Sequence, residues 1–248
     1  MAVRLLGKPP KRDDISRFLV HLSREYDGAT ARENLLGILA AKKIEARNAH
    51  CLVMHKLSAS GFSGLLQTRF RTVCFTEAPL TQIDKLTAPL PKRKIQLKPF
   101  GLVFWKEDLM DNGASPALYV NARGSDLSNY LLAQFEDAFN GITQLRVLKA
   151  KKKEHFESII QFFALLNVVS KKHDFLWERE WRYMGDFEFD YRDIVAVIAK
   201  KPDEFRKEYA ARMRPKAADV LNRIPHLDPG WNHEEIVEAL AIQMWDGE

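Results

Sequence analysis

The stretch at 177–183 constrains the fold of this chain most strongly, because charged and aromatic side chains alternate along it. Successive side chains of a β-strand point to opposite faces, so a strand here would put Glu178, Glu180 and Arg182 on one face. The aromatic side chains would face the other way, pack on a core and hold the two carboxylates about 7 Å apart. Carboxylates at that distance can share a ligand and perturb each other's pKa. The alternative interpretation is an exposed strand face with a Glu–Arg ladder.

The order of the elements favours a single α+β domain with a mixed or antiparallel sheet. The first strand is predicted at 17–22, and a capping box from Thr30 to Glu33 starts a helix at 34–42. Further strands are predicted at 71–77, 100–105, 116–121, 177–183 and 193–198, and helices at 128–139, 154–169, 203–223 and 233–244. This order is not the regular βαβ alternation of a parallel sheet. Residues 45–68 lack a clear period and predict a long connection of the kind that covers a site.

Length and composition predict a soluble, cytoplasmic protein. The 248 residues suit one large domain, which we place at 17–200, after a polar arm at 1–16 and before a C-terminal helical extension at 201–248. No apolar run approaches the roughly 18 to 20 residues of a membrane span, so no membrane partner is expected. The short apolar start before Lys8 lacks the apolar region of a signal peptide.

The positive charge of the chain is clustered. The net charge is +5, and basic residues gather at 8–12, 92–94, 149–153 and 171–172. Clusters of this kind favour an anionic partner such as nucleic acid or a phosphorylated ligand. A modestly basic, solvated surface is the alternative.

Several chemistries are disfavoured by their missing motifs. The candidate metal ligands His50, Cys51, His55 and Cys74 lack the paired spacing of a zinc site, so no metal is expected. The chain contains neither the P-loop pattern nor the dinucleotide-binding glycine pattern. A serine nucleophile elbow and a kinase catalytic loop are also missing.

The residues that remain fit cleavage of the bond between nicotinamide and ribose in NAD. The ribose becomes positively charged as nicotinamide leaves, and a carboxylate such as Glu180 or Glu178 can stabilise that charge. His21, on the first predicted strand, can orient the ribose. Arg71 is a candidate to hold the NAD diphosphate, although an exposed basic edge is the alternative. Tyr119 can stack on a base or fill the core.

Four segments of the sequence resemble a known family. They lie at 34–39, at 73–80, at 100–107 with 116–119, and at 177–182. In this order they resemble the abortive-infection family AbiGi of phage defence, and the same skeleton is similar to DarT-type ADP-ribosyltransferases. The resemblance implies an ADP-ribosyltransferase fold, NAD as the substrate, and a role in a toxin–antitoxin system with a possible cognate partner.

The resemblance also implies roles for individual residues. Glu180 matches the catalytic glutamate, and Glu178 matches the upstream glutamate that helps to select the acceptor. His21 matches the histidine of the first strand in DarT-type enzymes. Thr76 falls where many transferases carry a serine or threonine that contributes to the NAD site.

Two functional hypotheses remain open at this point. The first is an NAD-dependent ADP-ribosyltransferase toxin that modifies nucleic acid or a protein, and the pair Glu178 and Glu180 favours it. The second is a non-catalytic antitoxin, or a module that binds nucleic acid or a partner protein, on a transferase-like fold. The AbiGi family, whose members have been described as antitoxins, favours the second.

Overall fold

A mixed β-sheet flanked by helices organises the chain. This computed structural model describes residues 15–89, 96–121, 125–144, 153–170 and 174–245. The strands are β1 (Phe18–Leu22), β2 (Lys43–Ile44), β3 (Thr72–Thr76), β4 (Phe100–Trp105), β5 (Ser115–Pro116), β6 (Leu118–Asn121), β7 (Leu166–Val169), β8 (Glu180–Met184), β9 (Phe187–Glu188), β10 (Ile194–Ala199) and β11 (His226–Leu227). The α-helices are α1 (Ala31–Ala41), α2 (Met54–Ala59), α3 (Gly64–Thr68), α4 (Ile83–Thr87), α5 (Lys106–Asp111), α6 (Asp126–Ala138), α7 (Lys153–Leu165), α8 (Pro202–Arg212), α9 (Pro215–Asn222) and α10 (His233–Trp245).

Seven of these strands form one sheet in the order β11-β10-β4-β1-β3-β8-β5. β10 and β11 pair in parallel and the other neighbours pair antiparallel, so the sheet is mixed. β2 pairs with β9, and β6 pairs in parallel with β7, in two smaller sheets. The prediction of a single α+β domain with a mixed sheet is confirmed.

The main sheet is weakly joined in its middle. β1 pairs with β4 at five positions and β3 pairs with β8 at five, but β1 and β3 pair only where Val20 faces Thr76. At the next residue of β1, a side chain makes the bond between the two strands. Nδ1 of His21 donates to the main-chain oxygen of Cys74 at 2.9 Å. We call this opening between the two strands the β1–β3 interval.

Three hydrophobic clusters hold the elements together. The first lies between one face of the sheet and α1, α8 and α9, which contribute Leu35, Phe205 and Leu221. The second is built by α2, α3, α6 and α7 around aromatic side chains such as Phe135. The third includes Ile83 of α4 and packs beside β1, β4 and β10. Burying one such side chain contributes about 1.5–3 kcal/mol, so these clusters supply most of the driving force for the fold.

Helix α1 begins at Ala31, earlier than the predicted start at residue 34, and directly after Thr30 of the predicted capping box. The hydroxyl of Thr30 accepts a hydrogen bond from the backbone of Glu33, and the Glu33 carboxylate accepts one from the backbone of Thr30. Each partner satisfies an N–H group that the first helical turn leaves unpaired. The capping box is therefore confirmed.

Residues 45–68 do not form the long connection that was predicted. They contain α2 and α3, whose buried Leu57 and Leu66 join the second cluster. Helices of five or six residues complete fewer than two turns, so they leave little periodic signal in a sequence.

Three other predicted elements end or divide differently. The strand at 116–121 divides into β5, which pairs with β8, and β6, which pairs with β7. The helix at 154–169 ends at Leu165, because the next four residues form β7. The helix at 203–223 divides where Pro215 begins α9, since proline lacks the N–H that would continue the preceding helix.

The predicted strand at 177–183 begins only at Glu180. Residues Leu176–Glu178 form a turn of 3₁₀ helix, and Arg179 adopts a left-handed φ of 46°. The carboxylate of Asp174 accepts a hydrogen bond from the backbone of Leu176 at 3.4 Å. A local side-chain acceptor of this kind competes with strand pairing.

The prediction that Glu178 and Glu180 share a strand face is therefore wrong, since Glu178 precedes the strand. Trp181 and Tyr183, by contrast, pack against the first cluster as predicted. Trp177 lies in the turn, and 43% of its surface is exposed.

Some predictions fall outside the described residues. These are the polar arm at 1–16 except its last two residues, the basic stretches at 8–12, 92–94 and 171–172, and all but the last residue of 149–153. The C-terminal segment contributes helices, as predicted, and also β11, which pairs with β10 in the main sheet. No helix in the described ranges has the length and apolar character needed to cross a membrane.

Candidate functional site

Glu180 is held by a buried arginine on its own strand. Its carboxylate accepts from Nε of Arg182 at 3.1 Å and from a terminal guanidinium nitrogen at 3.2 Å. The Arg182 side chain is 1% exposed and also donates to the main-chain oxygen of Ala164, near the end of α7, at 2.6 Å. Paired, charge-assisted hydrogen bonds fix both position and orientation. The exposed Glu–Arg ladder considered from the sequence is therefore wrong.

Uncharged groups from three other segments complete the contacts of this carboxylate. Asn167 on β7 donates to Oε2 of Glu180 at 2.8 Å, and the hydroxyl of Tyr119 on β6 donates to the same oxygen at 3.2 Å. The amide nitrogen of Asn48 lies 3.5 Å from Oε1 and 2.7 Å from the sulfur of Cys74. We call this set the Glu180 network; its members are Asn48, Cys74, Tyr119, Asn167, Glu180 and Arg182.

The network keeps Glu180 ionised. Burial by itself would raise the pKa of Glu180, but the charge of Arg182 and the hydrogen bonds from Arg182, Cys74 and Asn167 outweigh it and lower the pKa. Burial, and then the negative charge of Glu180, raise the pKa of Tyr119 and raise that of Cys74 to about 12. Tyr119 and Cys74 therefore keep their protons at neutral pH, while Glu180 carries a negative charge in a largely buried place.

His21 lies on the other side of Cys74 from Glu180. Burial, assisted by the charges of Arg24 and Arg47, lowers the pKa of His21 to about 4, although the hydrogen bond to Cys74 opposes this shift. The imidazole is therefore neutral near pH 7. Because Nδ1 donates to the oxygen of Cys74, Nε2 is left as the acceptor.

The remaining predicted site residues have different surroundings. Thr76 faces Glu180 across the β3–β8 pair, but its hydroxyl donates to the main-chain oxygen of Glu178 and accepts from the backbone of Ala78. Thr76 therefore orients the turn that contains Glu178. Arg71 is exposed and precedes β3, at the opposite end of that strand from Thr76.

The structure thus brings together three of the six predicted site residues most closely. His21 and Glu180 flank Cys74, and Tyr119 contacts Glu180 directly through its hydroxyl. Thr76 and Glu178 lie beside this group and bond to each other through the main chain of Glu178. Arg71 is not brought to it.

The sequence interpretation missed a basic and aromatic group near His21. The guanidinium carbon of Arg47 lies 4.2 Å from the ring centroid of Tyr26, and that of Arg24 lies 6.0 Å from it. Tyr26 is 44% exposed, and an open cavity of about 360 Å³ is lined by Glu25–Thr30. These residues lie in irregular segments without periodicity, so the sequence offered only the short spacing of Arg24 and Tyr26 as a signal.

The sequence interpretation also missed Asn48 and Asn167. Each is a single amide at an unremarkable position, and each becomes part of the site because distant segments meet at Glu180. Arg182 was noticed, but as an exposed partner of little energetic value. Its burial is decided by α7, which packs over β8 and offers the oxygen of Ala164.

The Glu180 network and the neighbouring residues His21, Arg24 and Arg47 together provide an ionised carboxylate, a neutral imidazole and cationic guanidinium groups. Such a set can stabilise a developing positive charge on one part of a ligand and bind an anionic group on another part. Within the ranges that the structure describes, no three His, Cys, Asp or Glu side chains are grouped as metal ligands would be. The chain matches no protein-family model, no curated protein and no solved structure.

Proposed function

We propose that this chain is an NAD-dependent ADP-ribosyltransferase in which Glu180 stabilises the positively charged ribose. The observation that carries the proposal is the carboxylate of Glu180, which the buried Arg182 holds by two hydrogen bonds and whose pKa is lowered. A charge held in place before the reaction costs no reorganisation when the transition state forms, and burial strengthens its effect. A carboxylate in this state suits an oxocarbenium-like ribose.

The surrounding groups match the other parts of NAD. Arg24 and Arg47 replace Arg71 as the candidates for the diphosphate, because both guanidinium groups lie by the ring of Tyr26 and their charges contribute to the lowered pKa of His21. The free Nε2 of His21 can accept a hydrogen bond from a ribose hydroxyl.

The proposed reaction needs no redox change. The bond between nicotinamide and ribose breaks with both electrons leaving on nicotinamide, which departs as a neutral base. An acceptor on nucleic acid or protein then donates an electron pair to the ribose carbon and loses a proton. The resemblance of the sequence to AbiGi and DarT-type proteins supports a role in phage defence, and we propose a cognate toxin or antitoxin as the partner.

The test compares two carboxylates in similar structural settings. Glu180→Gln should lower the rate of NAD consumption by about two to three orders of magnitude, because it removes the charge. Glu77→Gln is the matched control, since Glu77 is 16% exposed and accepts from Lys106 at 2.9 Å and from the indole of Trp181 at 2.8 Å. Both variants lose a largely buried ion pair, but only Glu180 lies at the site.

Nucleotide loss should be followed by mass spectrometry at a temperature where circular dichroism shows both variants folded. If Glu180→Gln and Glu77→Gln consume NAD equally fast, the assignment of Glu180 fails. Transfer should be measured separately from hydrolysis, with cellular RNA, DNA and protein supplied as acceptors.

A non-catalytic binding module remains the second candidate. The favouring observation is that protein donors already occupy both oxygens of Glu180, as they would in a structural joint between β8 and the β6–β7 pair. In that case the wild type would neither bind nor consume NAD in the presence of cellular nucleic acid and protein. Salt-sensitive binding of RNA or DNA without NAD loss would support this module.

A further inference from the structure

His50 is held next to the Glu180 network by anchors on both sides. On one side, the main chain of Asn48 pairs with that of Thr72, and the Asn48 side chain accepts from the backbone of His50 at 2.8 Å. On the other side, the backbone of Leu52 donates at 2.9 Å to the oxygen of Leu166. Leu166 precedes Asn167, which bonds to Glu180. The segment that carries His50 is therefore fixed across the network.

The imidazole of His50 is in a state that can accept a proton. The residue is exposed, so an acceptor can reach it from solvent. The charged groups that act on it are Arg24, from the segment after β1, and Arg182 and Glu180, both on β8. Partial burial and then the two arginines lower the pKa of His50, while Glu180 opposes them. The ring is consequently neutral at pH 7.

Glu180 is badly placed to act as the base in the proposed reaction. Its oxygens already accept from Arg182, Asn167 and Tyr119, which leaves little capacity for a proton from the acceptor. Its lowered pKa also makes it a weak base. An acceptor hydroxyl or amine must nevertheless lose a proton as it attacks the ribose. A second protein group near Glu180 can serve that step.

We propose that His50 is the general base that takes this proton from the acceptor. The inference rests on the proposed ADP-ribosyl transfer and names the residue that activates the acceptor. The acceptor forms a bond to the ribose carbon, its proton moves to a ring nitrogen of His50, and nicotinamide leaves with the electron pair of the broken bond. The imidazolium then returns the proton to water. Glu180 stabilises the positive charge on the ribose, and His50 takes the proton from the acceptor.

The experiment compares His50→Gln with His55→Gln. His55 is an exposed histidine on the neighbouring helix α2 and serves as the matched control. General-base catalysis contributes about 10²- to 10⁴-fold, so His50→Gln should lower kcat for transfer by that factor with KM for NAD unchanged. His55→Gln should keep the wild-type rate. In His50→Ala, which removes the side chain and leaves the space of the ring empty, added imidazole should restore part of the rate.

The pH dependence of the transfer rate distinguishes a general base from a residue that has only a structural role. The wild-type transfer rate should fall as pH drops through the pKa of His50, whereas the residual rate of His50→Gln should lack that fall. A wild type that transfers ADP-ribose while His50→Gln keeps its rate and its pH profile overturns this inference alone. A wild type that does not consume NAD overturns the inference together with the proposed function. A loss of rate without imidazole rescue and with an unchanged profile also contradicts the base.

Discussion

His21 donates from Nδ1 to the main-chain oxygen of Cys74 at 2.9 Å, across the interval where β1 and β3 no longer pair. An imidazole therefore satisfies a backbone acceptor that a neighbouring strand would otherwise satisfy. The same bond settles which ring nitrogen of His21 is free, and it ties the first strand to the strand beside Glu180. This contact thus contributes both to the packing of β1 and to the geometry of the site.

The Glu180–Arg182 pair should matter for stability as well as for activity. Glu180→Gln leaves the guanidinium of Arg182 buried without its counter-charge, which should cost about 3–5 kcal/mol of unfolding free energy. The double variant Glu180→Gln/Arg182→Met should recover part of that loss, because it removes the stranded charge. Urea unfolding of the two single variants and the double variant measures this coupling. Additive losses would show that the two side chains do not stabilise each other.

Acid should destabilise the protein partly through His226. The residue is 2% exposed, and burial together with the charge of Arg206 lowers its pKa to about 4. In the unfolded chain it takes up a proton near its ordinary pKa of 6.5, so its contribution is present above pH 6.5 and is lost as pH falls to about 4. The resulting loss of unfolding free energy should approach about 3 kcal/mol.

This dependence is measured by urea unfolding between pH 7 and pH 4. His226→Leu should show a shallower fall than the wild type over that window, because leucine does not titrate. His21 also has a lowered pKa and titrates in both proteins, so the difference between them isolates His226. Parallel curves for the two proteins would refute the role of His226.

Gly101 and Gly37 should respond in opposite directions to the same substitution. A Cβ added at Gly101 on β4 would lie 2.3 Å from the main-chain oxygen of His21, so Gly101→Ala forces β1 and β4 apart. Overpacking of this kind costs about 1–3 kcal/mol. At Gly37 in α1 an added Cβ meets nothing within 4 Å, so Gly37→Ala should stabilise by about 0.5–1 kcal/mol. Thermal melts of both variants measure the two changes in stability. A Gly101→Ala protein as stable as the wild type would contradict the close packing of β1 and β4.

Arg47 should contribute to binding of the NAD diphosphate. A hydrogen bond to a charged group is worth about 1.5–3 kcal/mol, so Arg47→Ala should weaken ADP-ribose binding by about 10-fold or more. Arg192→Ala is the control, because Arg192 is 85% exposed and pairs with Asp190 on the turn before β10. Isothermal titration with ADP-ribose compares the two. Equal affinities would remove Arg47 from the proposed diphosphate site.

The local patterns of the sequence were enough to determine much of the fold. The capping box of Thr30 and Glu33, the buried run of β10 and the alternation of Trp181 with Tyr183 each express a preference within a few residues. Such preferences act over one or two helical turns or strand pairs. The same helix or strand therefore forms in any fold that buries the same face. The α+β class followed from their order.

The site depended on contacts that no local pattern encodes. Glu178 lies in a 3₁₀ turn before β8 and not on the strand, and Arg71 is separated from Thr76 by the full length of β3. Asn48 and Asn167 joined Glu180 from segments 132 and 13 residues away. The sequence by itself determined which groups are available and which strands carry them. Only the tertiary structure decided that Arg182 is buried and Glu180 ionised, because desolvation and ion pairing depend on what packs above them.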